Sequence, residues 1–153
     1  GLIEGCTIHD LDQDGIIIAA GNDQWTIRNC KIYDQISANV GRYGITTVSD
    51  SSFIEDTTVI MGDCTAGILA NVALLISVNN CNVSVSGANS IALQAAALTT
   101  MFVHGGSYHC AAAGNIIDFT TSATVPSQVT ATGNVDGTDP AAPALVTATV
   151  NGS

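Results

Sequence analysis

Basic residues are nearly absent from this chain. Of its 153 residues only Arg28, Lys31 and Arg42 carry a fixed positive charge, against 13 Asp and Glu, and the formal net charge is −10. Nucleic acid is excluded as a partner, because binding it takes a basic stripe that displaces counterions from phosphates. An anionic membrane surface is disfavoured on the same ground. Long apolar runs are missing too: the run at residues 67–78 is broken by Asn71 and Ser77 and falls short of the roughly 20 residues that span a bilayer, so no membrane insertion is expected. Charged residues make up only 10% of the chain, where about 25% is usual. Its surface must therefore be covered largely by neutral Ser, Thr, Asn and Gly. Three prolines beside fifteen glycines suggest sharp turns between short extended segments rather than long helices. No targeting segment is visible and the chain starts at Gly1, which suggests a mature product, a fragment, or one domain of something longer.

What is present is a repeat. An aliphatic residue, two or three turn formers and a second aliphatic or aromatic residue recur as IEGCTIHD (residues 3–10), IRNCKIYD (27–34), IEDTTVIM (54–61), VNNCNVSV (78–85) and VHGGSYHC (103–110). A degenerate copy, VTATGNV, follows at 129–135; the first residues of the copies are 24, 27, 24, 25 and 26 positions apart. A second series lies between them, a small residue before an aliphatic run: GIII from Gly15, GITT from Gly44, GILA from Gly67, SIAL from Ser90 and NIID from Asn115. Each period thus holds three short segments rich in β-branched residues, which read as strands. A turn of about 25 residues cannot close a core alone, whereas stacked turns bury a continuous one. The expected fold is all-β: a right-handed parallel β-helix of about six coils over residues 1–135. Its hand follows from the rule for parallel crossovers. Residues 136–153, with Pro140, Pro143 and a possible strand from Leu145 to Val150, are expected to form a C-terminal extension, a cap or an inter-subunit strand.

The pattern I-x-N-C-x-I, seen at residues 27–32 and followed about ten residues later by G-I, resembles the repeat of the pectate-lyase-like right-handed β-helices. That superfamily includes polysaccharide lyases, glycoside hydrolases and bacteriophage tailspikes. The resemblance implies a tight turn with stacked Asn side chains, which falls here on Gly5, Asn29, Asp56, Asn80 and Gly105. Asn29 and Asn80 suit an amide ladder, and Asp56 between them is expected to break it. Cys6, Cys30 and Cys81 share one repeat position, with Thr57 and Gly106 filling it elsewhere, and are read as an inward stack of small thiols. Cys64 and Cys110 are out of register with them. There is no C-x-x-C pair, and His9, His104 and His109 lack zinc-ligand spacing. Five reduced, mostly buried cysteines fit assembly in a reducing cytoplasm.

Chemistry has few candidates. Asp10, Asp12 and Asp14 stand in a D-x-D-x-D-G run like the start of a calcium loop, but the distal Glu is missing, and the plain alternative is a solvated turn. Glu4 and Glu55 fall at equivalent positions two coils apart, about 10 Å by the interstrand spacing. They are a conceivable glycosidase pair, with Arg28 between them making an alternating charge column the plain alternative. Asp10 and Asp34 also fall in register, and Asp12 or Asp14 could join them. A lyase of the resembled family would need clustered calcium-binding acids and a basic proton acceptor in a matching motif, which Arg28, Lys31 and Arg42 do not supply. An anionic uronate chain would also be repelled by so acidic a protein. For sugar stacking, Trp25 and Tyr43 are placed in loops, Phe53, Phe102 and Phe119 are expected in the core, and Tyr33 and Tyr108 fit either face.

The alanines at 95–97 and 111–113 are too many for one narrow core and suggest a flat subunit contact. Trimers packed about a threefold axis are the habit of phage tailspikes, which the chain resembles in style. The expected function is a non-catalytic structural or adhesive virion component, a tailspike or fibre β-helix or a capsid decoration protein. It is expected as a homotrimer with other virion proteins as partners and a host surface glycan as a further one. One alternative is a polysaccharide depolymerase, hydrolase or lyase, inactivated by Asp12→Asn or Glu55→Gln. Another is a secreted bacterial β-helix adhesin, which would be extracellular. No cofactor beyond that calcium reading is expected.

Overall fold

The structure, a computed structural model, describes residues 1–21, 24–34, 42–71, 75–87, 90–95 and 100–110, together with the backbone of strands at 117–119, 128–132 and 136–138. Every regular element among the described residues is a strand. The first turn runs through β1 (Leu2–Glu4), β2 (Thr7–His9) and β3 (Ile16–Ile18), and the second through β4 (Gln24–Arg28), β5 (Lys31–Asp34) and β6 (Tyr43–Thr47). The third holds β7 (Ser51–Glu55), β8 (Thr58–Met61) and β9 (Ala66–Ala70), and the fourth β10 (Leu75–Asn79), β11 (Asn82–Val85) and β12 (Ile91–Ala95). The ladders continue in β13 (Thr100–His104), β14 (Ser107–His109), β15 (Ile117–Phe119), β16 (Gln128–Thr132) and β17 (Asp136–Thr138). Like strands pair in parallel, giving sheets ordered β1-β4-β7-β10-β13-β16, β2-β5-β8-β11-β14-β17 and β3-β6-β9-β12-β15.

The chain is therefore a parallel β-solenoid with a period of about 25 residues. About four turns have all three strands with described side chains, so the expected six coils is slightly more than the structure carries. The second sheet runs on to residue 138 through β17, past the expected boundary at 135.

Alternation along each strand sends every second side chain inward. Ile27, Ile54, Val78 and Val103 form one inward column, Ile32, Val59, Val83 and Tyr108 a second, and Ile45, Ile68 and Leu93 a third; all are at most 1% exposed. Each such side chain contributes about 1.5–3 kcal/mol of burial. Tyr108, of undecided facing from sequence, lies wholly inside and donates its hydroxyl to the Gly105 carbonyl at 3.1 Å.

The turn from first to second sheet is built from residues in the left-handed region: Gly5 (φ 66°), Asn29 (52°), Asp56 (46°), Asn80 (51°) and Gly105 (63°). Only Gly, Asn and Asp adopt that region routinely, which explains the composition of the column. Asp56 continues the ladder on one side rather than breaking it, because its Oδ1 accepts from Asn80 Nδ2 at 2.6 Å.

A second corner needs the absence of a side chain. A Cβ on Gly15 would lie 2.6 Å from the Gly44 carbonyl oxygen, and one on Gly44 would lie 2.6 Å from that of Gly67 and collide with Val59. The register then places Ala92, not Ser90, beside Gly67, since Leu93 pairs with Ile68. Likewise Ala131, not Val129, pairs with Val103, and Ile117, not Ile116, continues the column of Ile45 and Ile68 through Leu93.

Candidate functional site

Glu4, Arg28 and Glu55 are consecutive in one ladder of the first sheet, at the C-terminal ends of β1, β4 and β7. Strand parity turns all three outward. Arg28 Nε donates to Glu4 Oε1 at 2.8 Å with both side chains a little over two-fifths exposed. That hydrogen bond, then the charge of Glu4 and more weakly that of Glu55, pushes the guanidinium above its ordinary value against a small effect of burial. The two carboxylates thus flank an arginine in one ladder. An ion column is what this arrangement makes.

The acidic run does not gather. Asp10 leaves the strand with φ 55° and pairs with its neighbour, its Oδ2 lying 2.8 Å from His9 Nδ1. The pairing of β2 with β5 ends at His9 and Tyr33. Asp10 therefore points to solvent at 85% side-chain exposure while Asp34 is buried, and the two do not form the expected in-register patch. Asp12 is exposed. Asp14 is committed to the next turn: its Oδ1 accepts from the Tyr43 backbone N–H at 3.0 Å and its Oδ2 from Thr46 Oγ1 at 3.1 Å. Arg42 ties the same loop down, donating to the Leu11 carbonyl and lying 3.6 Å from Asp34 Oδ2. Among the described residues no group of three or more His, Cys, Asp and Glu is placed to hold a metal ion. Asp10, Asp12 and Asp14 do not fit a calcium loop here.

Trp25 and Tyr43 are strand residues on different sheets and make no common platform. Trp25 sits in β4 on the inward column with Ser52, Ile76 and Met101, half-buried against the core, with its ring where a Cβ on Gly1 would stand at 2.7 Å. Tyr43 is half-buried at the start of β6. The ring that does meet another is Tyr33: His9 stacks on it at 5.2 Å between centroids and Lys31 Nζ lies 5.4 Å from its centre. Its π-face is already engaged.

Phe53 and Phe102, expected in the core, face outward on one column of the first sheet, Leu2–Thr26–Phe53–Ser77–Phe102. Phe53 is half-buried and Phe102 44% exposed. Phe119 and the alanines 96, 97 and 111–113 lie outside the residues whose side chains are described. Ala95 is fully buried and facing the core, so it offers nothing to a subunit contact.

The cysteine column is more than a stack of small apolar groups. Cys6, Cys30 and Cys81 each direct Sγ at the carbonyl two residues back, of Glu4 (3.6 Å), Arg28 (3.3 Å) and Asn79 (3.3 Å), and Thr57 Oγ1 does the same to Glu55 at 2.8 Å. The side chain at this position is a donor that satisfies the turn carbonyl. None of the five cysteines is in a disulfide; four are buried and Cys6 is half-buried. A second buried polar group joins Thr47, Ser49 and Ser52, whose hydroxyls lie 2.5–3.1 Å apart at the corner between third and first sheets. Spacing alone does not announce it, because Ser52 stands where neighbouring turns carry Trp25 and Ile76.

No family model, no curated protein and no solved structure matches this chain.

Proposed function

We propose that the chain is a non-catalytic structural or adhesive component of a virion, a tailspike or fibre β-helix or a capsid decoration protein. In this reading it is a homotrimer beside other virion proteins, assembled in the host cytoplasm and presented towards a host surface glycan. The observation that carries the reading is the outward side of the first sheet. Its strands hold two acids, Glu4 and Glu55, with Arg28 between them and His104 at the end of β13. The same side presents Leu2 at 53% exposure and Phe102 at 44%. Exposed apolar side chains gathered on one column of a sheet suit a second copy of the chain as their cover. The occupation of Glu4, Asp10 and Asp14 by Arg28, His9, Tyr43 and Thr46 favours this over a depolymerase. Sedimentation equilibrium tests the assembly: a species of three times the 15.5 kDa chain mass is expected, and a soluble monomer overturns the trimer. Cleavage of a polysaccharide that is lost in Glu55→Gln would overturn the non-catalytic reading.

A further inference from the structure

We propose that Cys6 and Cys30 form a redox-closable pair, which a disulfide-exchange oxidant such as oxidised glutathione converts to a disulfide stapling the first turn of the solenoid to the second. The two residues hold the same place in adjoining turns, immediately before the paired residues Thr7 and Lys31, and the Lys31 N–H donates to the Cys6 carbonyl at 2.8 Å. Parallel neighbours stand about 4.8 Å apart, inside the 4.4–6.8 Å Cα window of a disulfide. Direction is favourable as well. Cys30 Sγ leans out of its own turn toward the first, reaching the Ile3 carbonyl at 3.7 Å. Cβ atoms about 4.8 Å apart on parallel neighbours must close by roughly 1 Å to reach the usual Cβ separation of a disulfide.

The pair is selective within the chain. Cys81 is separated from Cys30 by Thr57 in the same column, as the hydrogen bonds to Glu55 and Asn79 show, and Cys64 is buried in the corner beside Ser90. Roles follow from exposure. Cys6, half-buried, attacks the oxidant: its thiolate displaces one glutathione thiolate and forms the mixed disulfide. Cys30, whose thiol burial pushes up, then gives up its proton and displaces the second glutathione from Cys6. In sum two protein thiols and one oxidised glutathione become one protein disulfide and two glutathione thiols, with two electrons passed to glutathione.

The test uses the full reduced chain, folded, with oxidised glutathione as probe, followed by thiol titration, intact mass and tryptic mapping. Trypsin cuts after Arg28 and Lys31, so Cys6 falls in the peptide 1–28 and Cys30 in 29–31. The expected result is loss of two of the five thiols, a mass lower by two hydrogens, and those two peptides joined. Cys30→Ser keeps a hydroxyl donor like that of Thr57 and is expected to fold and to retain one glutathione on Cys6. A lasting glutathione adduct on the parent chain, a link through Cys64, Cys81 or Cys110, or no thiol loss would each overturn the pair.

Discussion

At the scale of single residues, backbone conformation decides the turn column. Asn29 at φ 52° and Asn80 at φ 51° occupy a region that costs an ordinary L-residue about 1–2 kcal/mol. Asn29→Ala is expected to lower stability by about that amount, while Asn29→Gly changes it little; urea melts of both variants check the contrast. The positions of this column were legible from the recurring Gly, Asn and Asp. The role of Asp56 was not, because an acid reads as a gap in an amide ladder until its oxygen is seen accepting from Asn80. The donor column was half legible: Cys6, Cys30 and Cys81 aligned, but only Thr57 in the same place reveals that donation, not apolarity, is the shared property. Thr57→Val keeps the shape, loses the 2.8 Å bond to Glu55, and is expected to cost about 0.5–1.5 kcal/mol in the same melts.

Buried acids of the thiol and phenol type also set an alkaline limit. Burial pushes Cys64 from 9.0 up to about 11 and Cys81 up to about 12, and raises the Tyr108 hydroxyl as well. These groups stay protonated in the folded chain at pH values where the unfolded chain already loses their protons. Stability is therefore full below about pH 9 and falls as pH climbs toward the folded values of about 11 and 12. Urea midpoints between pH 7 and 11 are expected to be level at first and then to drop. A midpoint that rises above pH 9 would contradict the burial of these groups.

At the scale of strands, parity explains both what was readable and what was not. The repeat aligns Ile54 with Val103, the structure buries both, and the period of two then places their neighbours Phe53 and Phe102 outside. Size and apolarity suggested the core for both; the alternation in the sequence contained the opposite answer. The slips at Ala92 and Ala131 are of two residues, which leave the inward face unchanged, so the hydrophobic pattern is blind to them. The slip at Ile117 is of one, between adjacent isoleucines that spacing cannot separate. What resolves the third sheet is the glycine corner. Gly44→Ala would force a Cβ to 2.6 Å from the Gly67 carbonyl and is expected to cost about 1–3 kcal/mol, measured by urea melts. Ala at 92 in the same column shows that the limit is local to Gly15, Gly44 and Gly67.

At the scale of the molecule, the solenoid spreads its residues so that each turn meets only the turns above and below. Among the described residues the acids sit in one ion column, in turns, or in bonds that hold the next strand. The ion column was legible from the repeat, since Glu4, Arg28 and Glu55 share a register. The partners of Asp10 and Asp14 were not, because they depend on how the loop before β3 folds back on β6. The partner face proposed above is the outward side of the first sheet, where Phe102, 44% exposed, is the most exposed of the described Phe, Tyr and Trp side chains. Sedimentation equilibrium of Phe102→Ser beside the parent chain tests that claim most directly. The account predicts a trimeric parent and a variant shifted to monomer with unchanged β-sheet content by circular dichroism; a variant that remains trimeric would contradict it.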